Sequence, residues 1–255
     1  MDWDVKIYRG ILTGCNEAFI LDKKTRDELI KKDEKSAEII RPILRGRDIK
    51  RYGYEFAEQY IIATFPSRKI DIDDYPAVRD YLLEYGKEKL EQSGKPGARK
   101  KTPHKWYETQ DTINYWDDFF KQKIVYPNMT KFIPFYFDNN GFFQNDKSFM
   151  VVGKNIAFLT AFFNSSIFKY CFLDNFPELQ GGTRELRKVF FDKIPVLQVN
   201  NKINNLFETK IIELQIKKEK NLDTKDEEIE IDNMIFELYQ LSEKERNTIG
   251  YIEIF

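Results

Sequence analysis

Hydrophobic residues recur at helical spacing in several parts of the chain. Thr25 and Glu28 form a capping-box pattern that predicts a helix start, and "SAEIIRPIL" predicts a short helix from Ser36 that Pro42 bends or ends. In "DDYPAVRDYLLEYGKEKLEQ", an aspartate cap and a proline in the first turn predict a third helix whose apolar positions share one face. "NIAFLTAFFNSSIFKYCFL" is apolar nearly all round, which predicts one buried helix.

Two more helical stripes occupy the C-terminal part of the chain. Their apolar positions are Ile203, Phe207, Ile211 and Leu214 in the first, and Ile231, Met234, Ile235, Leu238 and Leu241 in the second. The polar, acid-rich stretch "KNLDTKDEE" separates them, so we predict an antiparallel hairpin that buries both stripes. Ser242 and Glu245 predict a capped last helix. The change of pattern divides the chain into a first domain, 1–198, and a helical appendage, 199–255.

Extended segments alternate with turn residues in the first domain. "VKIYRGILTGCNEAFIL" is broken at Gly10 and Gly14, and "EQYIIATF" and "KIVYP" are typical of strands. We predict that "KFIPFYFD" and "FFQNDKSFMVVG" flank "DNNG" as a hairpin turn. "PELQGGTRELRKVFFDKIPV" contains a glycine pair and a Thr183 cap, and its end predicts a short strand. The fold class expected from this order is mixed α/β (α+β).

Composition narrows the class of protein. The chain has 255 residues, of which 33% are charged, and its formal net charge is −1. Any attraction to an anionic polymer must therefore come from local clusters of cations. Cys15 and Cys171 are far apart and suit a reducing compartment. We see no membrane-spanning run and no signal-peptide pattern, so we expect a cytoplasmic protein without a membrane partner.

Two cationic stretches interrupt this balance. "RPILRGRDIKRYGYE" contains Arg45, Arg47, Lys50 and Arg51 with few acids. "SGKPGARKKTPHKW", residues 93–106, has no acid and almost no aliphatic residue, which predicts a long, flexible loop. Its cations are Lys95, Arg99, Lys100, Lys101 and Lys105, with Trp106 at its foot. Cations suit phosphate or guanine edges, and an aromatic residue among them suits stacking on an extruded or single-stranded base.

Catalytic chemistry is difficult to place in this sequence. A Ser–His–Asp or Cys–His site would have to use His104, the only histidine, which lies in the basic loop. Asp71, Asp73 and Asp74 precede a helix and are better explained as capping residues, although a carboxylate-only magnesium site stays open. The chain contains no G-x-x-x-x-G-K-[ST] and no G-x-G-x-x-G between a strand and a helix.

Several blocks resemble a known family. "YRGILTGCNEAFILDKKTRDELI" and "SAEIIRPILRGRDIKRY" are similar to the start of the TaqI-like C-terminal specificity domain of type IIG restriction–modification enzymes and adenine-specific DNA methyltransferases. Later blocks follow in the same order: "KIVYPNMTKFIPFYFD", "GFFQNDKSFMVVG", "FLTAFFNSSIFKYCF", "GGTRELRKVFFDKIPV" and "EIEIDNMIFELYQLSEKE". The likeness covers essentially the whole chain.

The resemblance implies a target recognition domain that reads a short duplex sequence and is not catalytic on its own. It implies double-stranded DNA and a methyltransferase or endonuclease domain or subunit as partners. S-adenosylmethionine, and Mg²⁺ where cutting occurs, would bind the catalytic part of the parent enzyme. This chain lacks the family's "NPPY" motif, and "YPNM" is its only faint echo. Whether the chain is a short gene or part of a longer enzyme stays open.

The resemblance also directs attention to polar residues in neighbouring loops. We expect base contacts from Asn128, Lys131, Gln180 and Arg184, with the basic loop on phosphates. For Asn128 and Gln180 the alternative is a satisfied turn amide. Two other functions are kept: a protein-interaction module that uses the C-terminal helices, and a divergent DNA-modifying enzyme.

Overall fold

A computed structural model describes residues 4–191 and 193–252, and it shows the expected mixture of helices and strands. The helices are α1 Asn16–Phe19, α2 Lys23–Lys32, α3 Pro76–Leu90, α4 Ile156–Phe163, α5 Ser166–Asn175, α6 Lys188–Phe191, α7 Asn201–Glu219, α8 Lys225–Leu238 and α9 Glu243–Ile249. The strands are β1 Val5–Arg9, β2 Ile20–Asp22, β3 Ile40–Leu44, β4 Ile49–Lys50, β5 Gly53–Tyr54, β6 Gln59–Ile62, β7 Lys123–Pro127, β8 Met129–Thr130, β9 Tyr136–Asp138, β10 Phe143–Gln144, β11 Ser148–Gly153 and β12 Arg184–Glu185.

The first sheet is antiparallel, with strand order β1-β11-β7-β9. Successive side chains of its central strands, β11 and β7, point to opposite faces of the sheet. On one face, Ile124 and Val151 lie in the same buried cluster as Phe158 of α4. Lys123 and Asp138 are opposite each other at one end of the β7–β9 pair and form a fully buried ion pair with 2.6 Å between Nζ and Oδ2. The sheet therefore carries its main core on the face that α4 covers.

The second sheet has the order β10-β3-β6-β2 and corrects one prediction. The segment expected to be a helix from Ser36 is a short 3₁₀ helix, Glu34–Glu38, followed by the strand β3. Strand β6 pairs with β3 through Pro42, whereas β10 pairs only with Ile43 and Leu44. Because one side of β3 is unpaired at Pro42, the missing N–H of proline is tolerated there, and the β-branched residues around it favour the strand.

The hairpin predicted at "DNNG" is also wrong. Strand β9 pairs with β7 in the first sheet, and β10 pairs with β3 in the second. The buried carboxylate of Asp138 accepts hydrogen bonds from the backbone N–H groups of Asn140 and Phe142, at 2.7 and 3.0 Å. This side-chain turn redirects the chain from one sheet to the other.

The apolar stretch predicted as one helix is two helices bent by 68°. Asn164 lies at the break and its side-chain amide bonds the backbone N–H and C=O of Phe135, while Ser165 caps α5 through the N–H of Phe168. The polar pair thus ends one helix and begins the next. Within the described residues no single helix is long and apolar enough to cross a bilayer, although the bent pair α4 and α5 meets that test together.

Three local predictions are shifted by the structure. Helix α2 begins at Lys23, and its cap is Asp22, whose carboxylate accepts from the N–H of Thr25. Helix α3 begins at Pro76 after Tyr75, without an aspartate cap. In the block "PELQGGTRELRKVFFDKIPV", which begins at Pro177, the strand is β12 rather than the segment near residue 194, and Asp192 lies outside the described residues.

The C-terminal hairpin is confirmed. Ion pairs Lys210–Glu230 and Lys218–Glu228, each at 2.8 Å, cross-link α7 and α8 in antiparallel register. Phe207, Ile211, Leu214 and Ile235 are fully buried, whereas Leu238 is only half-buried. The hairpin shares its core with α4, while the boundary at residues 198 and 199 stays a prediction.

The last helix, α9, contains the predicted capping box. The Ser242 hydroxyl accepts from the N–H of Glu245, and the Glu245 carboxylate accepts from the N–H of Ser242. We expect Ser242→Ala to lower the free energy of unfolding by about 1 kcal/mol, since a backbone donor loses its partner. Urea unfolding measures this change. Thr248→Ala, an exposed hydroxyl deletion in the same helix, is the control, and equal stabilities of the two variants would contradict the expectation.

Candidate DNA-binding surface

The basic loop, residues 93–106, is anchored rather than flexible. Gln92 holds its two ends, because its amide nitrogen donates to the carbonyls of Lys105 and Glu108 and its amide oxygen accepts from Thr102. The Glu108 carboxylate accepts from the backbone N–H of Lys105 at 2.7 Å. The loop therefore presents its cations from a defined backbone.

Arg99 corrects the prediction that it contacts phosphate. The residue is 5% exposed, and its guanidinium lies over the ring of Phe19. It donates to four backbone carbonyls at 2.6–2.9 Å, those of Leu90, Thr13, Glu108 and Trp106. Burial lowers the pKa of Arg99 to about 10, so the group is still charged at neutral pH. With its donors occupied inside the protein, Arg99 positions the loop and is not available to DNA.

The four lysines of the basic loop are exposed: Lys95, Lys100, Lys101 and Lys105. Within the described part of the chain, no carboxylate forms an ion pair with any of them. The Lys105 ammonium lies over the ring of Tyr107, and Lys87 lies over the half-buried ring of Trp106. The loop thus offers point charges to an anionic partner, with Trp106 as a partly covered platform beside a cavity of about 310 Å³.

The second cationic stretch is mostly engaged within the protein. Arg45 forms a two-pronged ion pair with Asp48 at 2.7–3.1 Å, and Lys50 lies 3.3 Å from Glu55. Arg51 is directed inward. Its side chain is 14% exposed, pairs with the fully buried Glu228 of α8 at 2.5 Å and also donates to the carbonyl of Asn164.

Arg47 is the exposed arginine of this stretch, and within the described residues no acid pairs with it. The prediction that Arg51 contacts DNA is corrected, because the Arg51 guanidinium binds Glu228 and the Asn164 carbonyl and so joins the C-terminal hairpin to the rest of the fold. Arg45 and Lys50 keep partial exposure beside their carboxylate partners.

A short β-ribbon brings the remaining candidate residues together. Strand β8 pairs with β12, so that Thr130 is opposite Arg184 and Met129 is opposite Glu185. Asn128 is held through its backbone, which donates to the carbonyl of Lys147 and accepts from the N–H of Leu186, each at 2.8 Å. Its side-chain amide has no partner within the described residues and is free for a ligand.

The turn that carries Arg47 lies against this ribbon. A Cβ at Gly46 would come within 2.8 Å of the carbonyl oxygen of Lys147 and 3.4 Å of the Pro127 side chain, so only glycine permits this close approach. We call the assembled surface, residues 45–47, 128–132, 147 and 180–187, the ribbon face. It brings Arg47, Asn128, Lys131 and Gln180 to one region.

The two other candidates of the ribbon face differ from each other. Gln180 is exposed next to Gly181 and Gly182, both with positive φ and with open space around them. Arg184 is 14% exposed, donates to the carbonyls of Leu173 and Phe176 and pairs with Glu178 at 3.2 Å. Gln180 is therefore available to a ligand, whereas Arg184 supports the loop that carries it.

Sequence reasoning missed two cations and two apolar residues of this surface. Arg187 has a side chain 62% exposed beside Glu185, and Lys147 is 73% exposed beside Asp146. Met129 and Phe132 are half exposed. Each cation has an acid within two residues, so the local sequence looks balanced. The pairing of β8 with β12 brings Arg187 to Asn128, and the hydrogen bond from the Asn128 N–H to the Lys147 carbonyl brings Lys147 there.

The acids considered for magnesium have other partners. Asp71 caps the 3₁₀ helix Ile72–Asp74, Asp73 pairs with Arg79 at 3.0 Å and Asp74 pairs with Lys35 at 3.4 Å. Among the described residues no group of three or more His, Cys, Asp or Glu side chains could hold a metal ion. Cys15 and Cys171 are free thiols.

Comparison with known proteins places the chain in a family of specificity domains. The model of the TaqI-like C-terminal specificity domain matches residues 41–196, and the chain belongs to this family. The matched range contains the ribbon face and the basic loop, while the C-terminal hairpin lies beyond it.

Three similar proteins give the context. The type II methyltransferase M.MjaIV of Methanocaldococcus jannaschii is 26% identical, over 94% of this chain and 83% of its own length. The type IIL restriction–modification enzyme MmeI, solved in complex with DNA, has a TM-score of 0.62 at 12% identity, over 93% of this chain and 33% of that chain. The type IIG restriction endonuclease BpuSI has a TM-score of 0.53 at 14% identity, over 83% of this chain and 25% of that chain. This chain therefore spans a third or less of the two solved enzymes.

Proposed function

We propose that this chain binds double-stranded DNA and reads a short sequence in it for a restriction–modification enzyme. The observation that carries the proposal is the ribbon face, which brings the segments with exposed Arg47, Lys131 and Arg187 next to Asn128, whose side-chain amide has no partner in the described residues. Cations on phosphates fix the register of a protein on a duplex, and amide side chains read adenine edges through paired hydrogen bonds. Family membership supports the same role.

The basic loop adds the sequence-independent part of the affinity. Lys95, Lys100 and Lys101 are exposed, and the buried Arg99 fixes the backbone that carries them. Each phosphate that a lysine neutralises releases condensed counterion, so log affinity falls with log salt by about 0.9 per contact. The proposal therefore makes DNA binding strongly dependent on salt.

We expect the variant Lys95→Ala, Lys100→Ala, Lys101→Ala to flatten that salt slope by roughly 2–3 units and to keep the ranking of DNA sequences. Fluorescence anisotropy at several salt concentrations measures both. The control is Lys202→Ala, Lys220→Ala, Lys225→Ala, which removes the same charge from exposed positions of the hairpin. An unchanged slope in the loop variant would remove the loop from the interface. Lost discrimination with an unchanged slope would assign these lysines to bases.

In this proposal the chain recognises DNA and a separate methyltransferase or endonuclease domain or subunit carries out catalysis. S-adenosylmethionine, and Mg²⁺ for cutting, would bind that partner, because this sequence lacks the "NPPY" motif and a cofactor-binding glycine loop. One observation favours a second candidate, a DNA-modifying enzyme: M.MjaIV is matched over most of its own length. Calorimetry separates them, since a one-to-one heat with S-adenosylmethionine at micromolar concentration would support the enzyme and contradict the recognition domain.

A further inference from the structure

Phe132 is exposed, and hydrogen bonds from a neighbouring side chain hold both of its backbone polar groups. The hydroxyl of Thr130 donates to the carbonyl of Phe132 at 2.7 Å and accepts from its N–H at 3.1 Å. Thr130 and Ile133 on either side are each 5% exposed, whereas Phe132 is 51% exposed. The ring is therefore held outward by a tight turn at the end of β8.

This exposure is unusual in the chain. Among the phenylalanines that the structure describes, only Phe120 and Phe132 are exposed. Phe120 packs on Trp116 and Phe143 and lies under Arg41. For Phe132 we find no ring or cation partner within residues 4–191 and 193–252. Met129, also half exposed, lies on β8, the strand that precedes Phe132.

The charges around this ring decide which partner it suits. Lys131 is exposed beside it, Arg47 is an exposed cation without an acid partner in the described residues, and Arg187 and Lys147 of the ribbon face pair with Glu185 and Asp146. A purely apolar protein partner would have to desolvate these cations, whereas a duplex supplies phosphates for them and stacked bases for the ring. Apolar side chains that enter a base step unstack it and bend the duplex, while nearby cations hold the backbone.

We infer that Phe132 is a wedge that inserts between neighbouring base pairs of the bound duplex, with Lys131 on the adjacent phosphate. The inference rests on the proposed DNA binding and adds a deformation of the DNA to it. Specificity then includes the ease with which a base step unstacks, in addition to contacts made by Asn128.

The test uses the full chain and a duplex recovered by it from a random pool, with 2-aminopurine placed in turn at each base step. Wild-type protein raises the fluorescence at one step, since 2-aminopurine brightens when it is unstacked. Phe132→Ala abolishes this rise and weakens binding by about tenfold or more, within the range for loss of one stacked base. Phe132→Trp, which keeps a planar ring, retains the rise. Leu83→Ala, which removes a residue 42% exposed on α3, behaves as wild type.

The outcomes separate this inference from the function on which it rests. If wild-type protein binds no duplex in a salt-dependent way, the proposed function fails. If it binds, but Phe132→Ala shows the same affinity and the same fluorescence profile, the wedge is wrong. Loss of binding to a methyltransferase subunit, with unchanged DNA binding, would assign Phe132 to a protein interface and also overturn the wedge.

Discussion

Replacing Arg99 with alanine is expected to lower the free energy of unfolding by about 3–5 kcal/mol, since several buried hydrogen-bond acceptors lose a charged donor at once. Four backbone carbonyls accept from this guanidinium, and they belong to segments as distant in sequence as Thr13 and Glu108. Because Arg99 is only 5% exposed, water can replace few of these hydrogen bonds unless the loop opens. The effect should therefore be much larger than a usual surface substitution.

The neighbouring lysine is the matched control for Arg99. Lys100 is exposed and has no ion-pair partner in the described part of the chain, so Lys100→Ala should change stability by less than about 0.5 kcal/mol. Urea unfolding followed by circular dichroism measures both. If the two variants unfold at the same urea concentration, Arg99 does not anchor the loop and the phosphate role first predicted for it returns.

Glu228→Ala is the second change with a large expected effect, about 3–5 kcal/mol, because it leaves Arg51 buried without its counter-charge. Glu228 is fully buried and pairs with Arg51 and with Lys218. Glu227→Ala is the control one residue away. The Lys217–Glu227 pair is partly exposed and screened by solvent, so its loss should cost much less than the loss of Glu228. Similar thermal stabilities of the two variants would show that the Arg51 link contributes little.

The same carboxylate predicts a dependence on pH. Burial alone would raise the pKa of Glu228, but Arg51 and Lys218 outweigh burial and hold the pKa below its ordinary value of 4.5. A carboxyl with a lowered pKa in the folded state stabilises the fold above pH 4.5, and this contribution is lost as the pH falls through the lowered value. The stability difference between wild type and Glu228→Ala should therefore shrink below pH 4.5. A difference independent of pH would contradict it.

The periodicity of apolar residues predicted the elements that pack against their neighbours in sequence. For the other elements, contacts with residues distant in sequence determined the structure. The hairpin of α7 and α8 and the capping box at Ser242 follow from spacing alone. "IIRPIL" has the same apolar content in a helix or a strand, and only its pairing with β6 and β10 makes it β3. The break at Asn164 likewise depends on Phe135, a residue 29 positions earlier in the chain.

The sequence predicted which stretches of the candidate site are rich in cations, but not which of those cations are exposed. Charge runs identified both cationic stretches, yet Arg51 and Arg99 turned out to bind internal partners that are distant in sequence or buried. An exposed lysine and a buried arginine look alike in a sequence, because each is one cation in an acid-poor segment. Lys147 and Arg187 were missed for the opposite reason, since a nearby acid concealed them.

Selection of duplexes from a random pool by the purified chain tests sequence-specific recognition most directly. We expect one short motif to be enriched, and the chain should bind it about 10³-fold or more tightly than a scrambled duplex at the same salt concentration. Asn128→Ala should relax the choice of base at one position of the motif, with little change in the salt slope. A pool without an enriched motif, together with equal affinity for all duplexes, would contradict the account.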